Sequence, residues 1–424
     1  MRREFEGKEF MITGFDDEAD IYVINTCSVT QDANKDCRKV VRRALRNNPD
    51  AFVAVTGCYA QLEPQEIAAI DGVSVVLGAK EKFDLFELVD SFEQKKEPLV
   101  FHSDVNEAVD FHHAFSSGDR TRAFLKVQDG CDYKCSFCTI PLARGVSRSP
   151  AIEEVQQNAR RAVAEGFKEI VVTGVNAGDF GKQHGETFLE LLQRLDDITE
   201  IERIRVSSIE PNLLNDDIIR FAATSRALQP HFHMPLQSGS DEMLKLMRRR
   251  YKSGLYSDRV ALIRDLMPHA CIGVDVITGH PGETESLFQE SFDFIDSLSV
   301  SYLHVFTYSE RPNTHALNIE PVIPKNIRKK RTNLLRRLSA KKRFDFNQKF
   351  TEDTRQVLFE EEEKEGFMQG WTDNYIRVQI PYSSFLANSI VPCKLKILNT
   401  SLTFDGVVDK AEFEVNPQIL AVHV

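Results

Sequence analysis

The chain has no apolar run of the roughly 18 residues that a membrane span needs, and its opening, MRREFEGKEF, has no hydrophobic segment of the secretory kind. It has no basic excess either. Lys and Arg number 53 against 64 Asp and Glu, a formal net charge of −11, so any nucleic-acid contact must come from local patches. Only 21 Gly, 16 Pro and a single Trp occur in 424 residues, with no internal repeat and no long low-complexity tract. A hydrophobic share of 42% excludes a wholly disordered chain. At about 150 residues per domain, the length predicts two or three units. Eight cysteines without an export signal point to the reducing cytosol. There, fixed short spacings read as metal or cluster ligands before they read as disulfides.

Three regimes follow one another, predicting an α/β protein with a small all-β end. Residues 1 to about 110 alternate short apolar runs, IYVIN (21–25) and AFVAVT (51–56), with amphipathic helical stretches. The polar segment FHHAFSSGDR (111–120) reads as a linker. From Ala123 to about Tyr308 six strand-like runs alternate with helices: AFLKVQ, EIVVTG, RIRVSS, HFHMP, IGVDVITG and YLHVFTY. Six such repeats argue for a parallel sheet, open or curved as an incomplete barrel. The first helix has Ser149 as expected N-cap, Pro150 at its first position and Gly166 as its stop. A basic amphipathic helix is expected over about 326–346, then short β-rich runs suggesting a small barrel. The expected boundaries are 1–112, 118–348 and 349–424.

The strongest chemical signal is Cys131-Asp132-Tyr133-Lys134-Cys135-Ser136-Phe137-Cys138. Three thiolates at this spacing, directly after a strand, can hold three corners of a [4Fe-4S] cube and leave the fourth iron open to a ligand. Gly130 before the loop and IPLARG (140–145) after it would keep backbone close to the cluster. Structural zinc is the alternative, but a closed zinc site wants four ligands and no Cys or His lies between Cys138 and His184.

This C-x3-C-x2-C loop on the first strand of a six-fold β/α unit resembles the radical S-adenosylmethionine superfamily. NTC (25–27), GCYAQ (57–61), GCDYKCSFCTIPLARG, RVSSIEP, HMPLQSGS, DVITGHPGE and YSERPNT together resemble the methylthiotransferase family. That family modifies adenosine beside the tRNA anticodon, or a ribosomal protein. IYVINTCSVT, the SRS after the cluster loop and TGVNAGDFG look most like the branch acting on N6-threonylcarbamoyladenosine. The resemblance implies a Rossmann-like N-terminal domain, a partial (β/α)6 radical SAM barrel and a C-terminal barrel like the small RNA-holding TRAM domain. It also implies an open iron that chelates S-adenosylmethionine and one-electron cleavage to a 5′-deoxyadenosyl radical. The adenine C2–H bond is too weakly acidic for a side-chain base, so a radical has to open it.

By the same resemblance, Gly174 and Asn176 lie against the cofactor's aminoacyl end, and Glu210 and Gln237 near its ribose or adenine. Cys27 and Cys58, each just past a strand-like run, are implied ligands of a second, auxiliary [4Fe-4S] cluster. The family's third auxiliary cysteine, with the strand before it, has no counterpart ahead of Cys27, so that cluster is expected to be incomplete. Cys37 lies mid-helix, a poor substitute. The family pattern also leads one to expect an apolar residue where His280 stands and a glycine where Asn313 stands. Cys271 and Cys393 read as buried small hydrophobes.

Basic clusters supply the partner expectation. RKVVRRALR (38–46) holds five Arg or Lys, Arg248-Arg249-Arg250 with Lys252 forms another patch, and residues 325–349 hold eleven basic residues against Asp345. Such concentration in an acidic protein fits a phosphate-backbone footprint. Trp371, Tyr375 and Phe367 are candidate stacking groups, with core packing the equal alternative for each. The acidic run 360–363 should face away from RNA. The expected protein is a cytoplasmic tRNA methylthiotransferase, with the tRNA anticodon stem-loop, S-adenosylmethionine and an electron-donor protein as partners. Isopentenyladenosine in tRNA or a ribosomal protein side chain are alternative targets. A non-catalytic zinc-stabilised RNA-binding protein is the reading from a different class.

Overall fold

The computed structural model describes residues 1–27, 31–108, 110–112 and 121–408; most of the expected linker and the last β-rich run, FEVNPQILAVHV, lie outside the described residues. Two compact units divide the chain. The first comprises Met1–Phe111, Asp129–Arg148 and Ser309–Ile319, and the second comprises His112–Gln128, Ser149–Tyr308 and Glu320–Val424. The cysteine loop thus groups with the N-terminal residues.

In the first unit β1 (Ile21–Thr26), β2 (Phe52–Gly57), β3 (Val75–Leu77) and β4 (Leu99–Phe101) form one parallel sheet in that order. Alternate β2 residues serve opposite faces. Val53 and Val55 pack with Cys37 and Val41 of the helix Gln31–Asn47, while Phe52 and Ala54 pack with Phe5, Leu85 and Val89. A sheet covered on both sides needs such an unbroken apolar run. Cys37 is buried in this core, and burial pushes its thiol up to about 11, so it is a packing group.

The second unit contains all six expected strands: β5 (Arg122–Lys126), β6 (Glu169–Thr173), β7 (Arg203–Val206), β8 (His231–Gln237), β9 (Cys271–Thr278) and β10 (Tyr302–Thr307). They form two parallel three-stranded sheets, β5-β6-β7 and β8-β9-β10. Just past β7, the Ile209 N–H donates to the His233 carbonyl of β8 at 3.0 Å, linking the two. The first helix starts later than expected, at Ile152, with Ala151 as N-cap. The Ser149 hydroxyl instead accepts from the Gly181 N–H at 2.9 Å, a tertiary partner that local sequence does not announce. Gly166 does follow the helix end, at φ +94°.

The basic helix runs over Lys325–Gln348, and β11 (Thr354–Lys364), β12 (Phe367–Thr372), β13 (Arg377–Pro381), β14 (Ile390–Leu398) and β15 (Phe404–Val407) close a barrel after it. The barrel core is continuous with Cys271 and Tyr302 at the starts of β9 and β10. Trp371 and Tyr375 are therefore not free for a base. They stack on each other with ring centroids 4.4 Å apart, with Arg122 over the Trp371 ring and Arg205 over the Tyr375 ring. Phe367 alone of the three is exposed, at 43%.

A buried ion pair ties barrel to sheet. Arg205 donates to both carboxylate oxygens of Glu169, at 2.9 and 3.2 Å, and to the Asp373 carbonyl at 3.1 Å. Burial works to raise the Glu169 pKa, but the Arg205 and Arg203 guanidiniums hold it below the usual carboxylate value. Arg205→Ala would leave a buried carboxylate without its main partner and is expected to destabilise this unit by about 3–5 kcal/mol. The check is a shift of its denaturant midpoint; an unchanged midpoint would show the pair to be dispensable.

Candidate cofactor site

The cysteine loop begins where β5 has ended, at a backbone position that only glycine tolerates. Gly130 has φ +70°, and a Cβ there would stand 1.9 Å from the Val146 carbonyl oxygen. That close approach folds the segment after the loop back over it. The Cys131 N–H reaches the Gly145 carbonyl at 3.0 Å, and Asp129 and Arg148 exchange backbone hydrogen bonds at 2.9 Å. Ser147 N–H donates to Asp132 at 2.9 Å, and Ala316 N–H donates to the Ser136 carbonyl at 2.8 Å. The loop is fixed from both sides.

Within it, Cys131, Cys135 and Cys138 are all partly accessible, whereas Cys37, Cys271 and Cys393 are buried. The Tyr133 N–H points at the Cys131 sulfur and the Ile140 N–H at the Cys138 sulfur, each at 3.4 Å. Backbone donors aimed at sulfur stabilise thiolates and tune a cluster they ligate. Three accessible thiols on a rigid loop with N–H donors are a donor set that fits a cluster with one open iron.

Asp129 belongs to this site although no motif marks it. It is 2% exposed and accepts from Gly130 N–H at 2.9 Å, from Arg144 at 3.1 Å and from Arg148 at 3.5 Å. Its only signal in the sequence is a lone acid directly ahead of Gly-Cys with two arginines closing the loop. Arg144 also donates to the Cys58 sulfur at 3.4 Å. Burial disfavours its charge, but Cys58 and Asp129 outweigh that and raise its pKa.

The register of β1 and β2 pairs Thr26 with Gly57, so Cys27 and Cys58 leave the carboxyl ends of adjacent strands. Gly57, at φ +101°, makes that edge tight: a Cβ there would meet the Thr26 carbonyl oxygen at 2.3 Å. Cys27 is exposed and Cys58 is 8% exposed. The two thiols expected to work together do share one sheet edge, with an arginine on one of them.

In the second unit the four residues expected at the cofactor lie at or just past the carboxyl ends of β6, β7 and β8. Gly174 packs on Gln128, whose side-chain oxygen accepts from the Asn176 N–H at 2.7 Å. Asn176 is buried and donates to Asp179 at 2.9 Å, but its side-chain oxygen has no partner among the described residues. Gln237 likewise has a buried, unpartnered side-chain oxygen, on a backbone turned to φ +67°. Buried acceptors left unpaired are costly, and two of them at expected ligand contacts fit an absent donor such as an ammonium or hydroxyl. Glu210 is held by Arg249, which also reaches the Tyr251 hydroxyl at 3.1 Å. Arg249 is thereby removed from the expected basic patch.

Two departures from the expected pattern have physical accounts. His280 is fully buried, donates its Nδ1–H to the Pro281 carbonyl at 2.7 Å, and burial pushes its pKa down to about 4. It is neutral near pH 7 and fills the place of an apolar side chain. Asn313 has φ +62°, the left-handed region that glycine favours and Asn tolerates.

Comparison with known proteins agrees with this arrangement. The radical SAM superfamily matches residues 125–295, and a family described as uncharacterized protein family UPF0004 matches residues 1–78. The threonylcarbamoyladenosine tRNA methylthiotransferase of Bacillus subtilis (strain 168) is 38% identical over 401 residues, 92% of this chain and 88% of that protein. The enzyme of the same name from Aquifex aeolicus (strain VF5) is 36% identical, covering 89% and 92%. The tRNA-2-methylthio-N(6)-dimethylallyladenosine synthase of Rickettsia rickettsii (strain Sheila Smith) is 30% identical, covering 91% and 89%. Among solved structures, a radical S-adenosylmethionine methyltransferase from Kitasatospora setae with cobalamin and a [4Fe-4S] cluster bound has a TM-score of 0.52 at 14% identity. It covers 70% of this chain and 66% of that one, a likeness of fold.

Proposed function

Since this chain belongs to the radical SAM methylthiotransferase family, we infer that it places a methylthio group on adenine C2 of N6-threonylcarbamoyladenosine in tRNA. The observation that carries the inference is the rigid loop of three accessible cysteines in a chain 38% identical to an enzyme of that name. Identity to the dimethylallyladenosine enzyme is lower, at 30%, which ranks the isopentenyl substrate second.

We assign Cys131, Cys135 and Cys138 to the radical SAM cluster, and Gly174, Asn176, Glu210 and Gln237 to S-adenosylmethionine. When bound, these cofactors supply the one-electron chemistry that opens an unactivated C–H bond. The protein's own part is positioning. Gly130 and Gly145 hold the cysteine loop shut, Asp129 locks Arg144 and Arg148 around it, and Asn176 and Gln237 offer acceptors to a cationic or hydroxyl-bearing ligand. Cys27 and Cys58 are assigned to the auxiliary centre that handles sulfur. An electron-donor protein and a cytoplasmic setting complete the reading; no described helix is long and apolar enough to cross a membrane.

The test of substrate is direct. Anaerobically reconstituted protein, given reductant, a sulfur source and S-adenosylmethionine, should convert tRNA carrying threonylcarbamoyladenosine and leave isopentenyladenosine tRNA unchanged. The reverse preference would replace the substrate assignment.

The basic helix offers RNA a narrower surface than its charge suggests. Arg328 and Arg331 are buried: Arg328 donates to the carbonyls of Ile323 and Tyr308, and Arg331 to Glu283 at 2.8 Å. Lys329, Lys330, Arg336 and Arg337 are exposed, as are Lys325, Lys341, Arg343 and Lys349, and the first four are the set chosen for the test. Reversing these four to Glu should weaken binding to all tRNAs alike and lower the salt slope by about 0.7–0.9 for each phosphate that is no longer neutralised. Cofactor cleavage without tRNA should survive, and an unchanged slope would make this helix an ordinary solvated face.

A further inference from the structure

We propose that His233, Asp275 and His304 form a binding site for one divalent transition-metal ion of the zinc class, separate from the cysteine sites. The three residues lie on three adjacent strands, β8, β9 and β10. Their strand neighbours Met234, Val274, Val276, Leu303 and Val305 are buried in the helix-covered core, so by strand alternation the triad occupies the opposite face of the sheet. Register does the rest. Asp275 pairs directly with His304 across β9 and β10, and His233 pairs with Gly273, one step diagonal from Asp275. Gly273 adds no side chain between them.

The resulting geometry is that of a ligand set. One donor atom from each residue lies within 4.8 Å of the other two, and His233 Nε2 stands 2.9 Å from Asp275 Oδ1. A structural His–Asp hydrogen bond would account for two of the three residues. It leaves His304 unexplained. That imidazole makes no side-chain hydrogen bond among the described residues, yet its ring centroid is 5.3 Å from that of His233. The Arg343 guanidinium sits over the neighbouring Tyr302 ring at 4.7 Å.

Two imidazoles and one carboxylate select zinc, iron or nickel over magnesium and calcium, which prefer all-oxygen shells. Three protein ligands leave coordination positions open to water or to an anionic oxygen. His233 and Asp275 are half-buried and His304 is exposed, so an ion can enter from solvent. The bound ion would tie together the three strands of this sheet.

The test uses the holoenzyme with its clusters already built, so that empty cysteine sites do not compete. Zinc is the probe. After removal of loosely held metal, the wild-type chain should retain one more zinc than His304→Ala and than Asp275→Asn. Zinc-edge X-ray absorption should show nitrogen and oxygen neighbours at about 2.0–2.1 Å, including imidazole, and both variants should bind zinc at least about tenfold more weakly. Iron content and the unfolding midpoint without zinc should match among the three proteins, which separates a lost ligand from a lost fold. Sulfur neighbours at about 2.3 Å, equal zinc uptake by wild type and variants, or no zinc bound by the wild type would overturn the proposal.

Discussion

Replacing Cys131, Cys135 and Cys138 together with Ala is expected to abolish 5′-deoxyadenosine formation from S-adenosylmethionine, with or without tRNA. The loop that carries them is pinned by Gly130, by the Ala316 donor to Ser136 and by Asp132, so its shape should survive loss of the sulfurs. What disappears is the ligand set. Outside the loop Cys27 is the one exposed thiol among the described residues; Cys37, Cys58, Cys271 and Cys393 are buried, and burial pushes Cys37, Cys271 and Cys393 up to about 11. The measurement is 5′-deoxyadenosine by chromatography after anaerobic reconstitution. Undiminished product from the triple variant would remove the assignment of the open-iron cluster.

The second large effect is selective. Changing Cys27 and Cys58 to Ala should leave cofactor cleavage intact while whatever methylthiolated product the unsubstituted chain forms falls below detection. The separation follows from placement: these thiols leave the ends of β1 and β2, on a different element from the cysteine loop. Arg144 has Cys58 as one of two side-chain acceptors and keeps Asp129 as the other, so the loop retains its anchor. Iron per chain should fall while 5′-deoxyadenosine per remaining cluster does not. If product formation persists, both cysteines are ordinary edge residues of the sheet.

The parts of this protein that are legible in sequence share a local cause. Each β/α strand is a short run rich in β-branched and other apolar residues, as in EIVVTG and IGVDVITG, and each appears as a strand within two residues of its expected ends. The cysteine loop is legible because its three cysteines lie within eight residues of one another. What escapes a sequence is held by distant residues. Ser149 looks like a helix cap because its neighbours fit one, but its hydroxyl is taken by Gly181. Trp371 and Tyr375 look like a stacking surface until Arg122 and Arg205, from the sheet, cover them. Arg331 adds to an expected basic face, yet Glu283 pairs with it in the interior. The His233, Asp275 and His304 cluster depends on the register of three strands, which no short window contains.

The central claim is that this chain modifies threonylcarbamoyladenosine in tRNA. Nucleoside analysis of total tRNA from the organism with and without the gene tests it most directly. The account predicts that the 2-methylthio form of threonylcarbamoyladenosine vanishes on deletion, that the unthiolated nucleoside rises by the matching amount, and that 2-methylthio-isopentenyladenosine is unaffected. Persistence of the 2-methylthio-threonylcarbamoyl nucleoside with loss of the isopentenyl one, or no change in either, would contradict it.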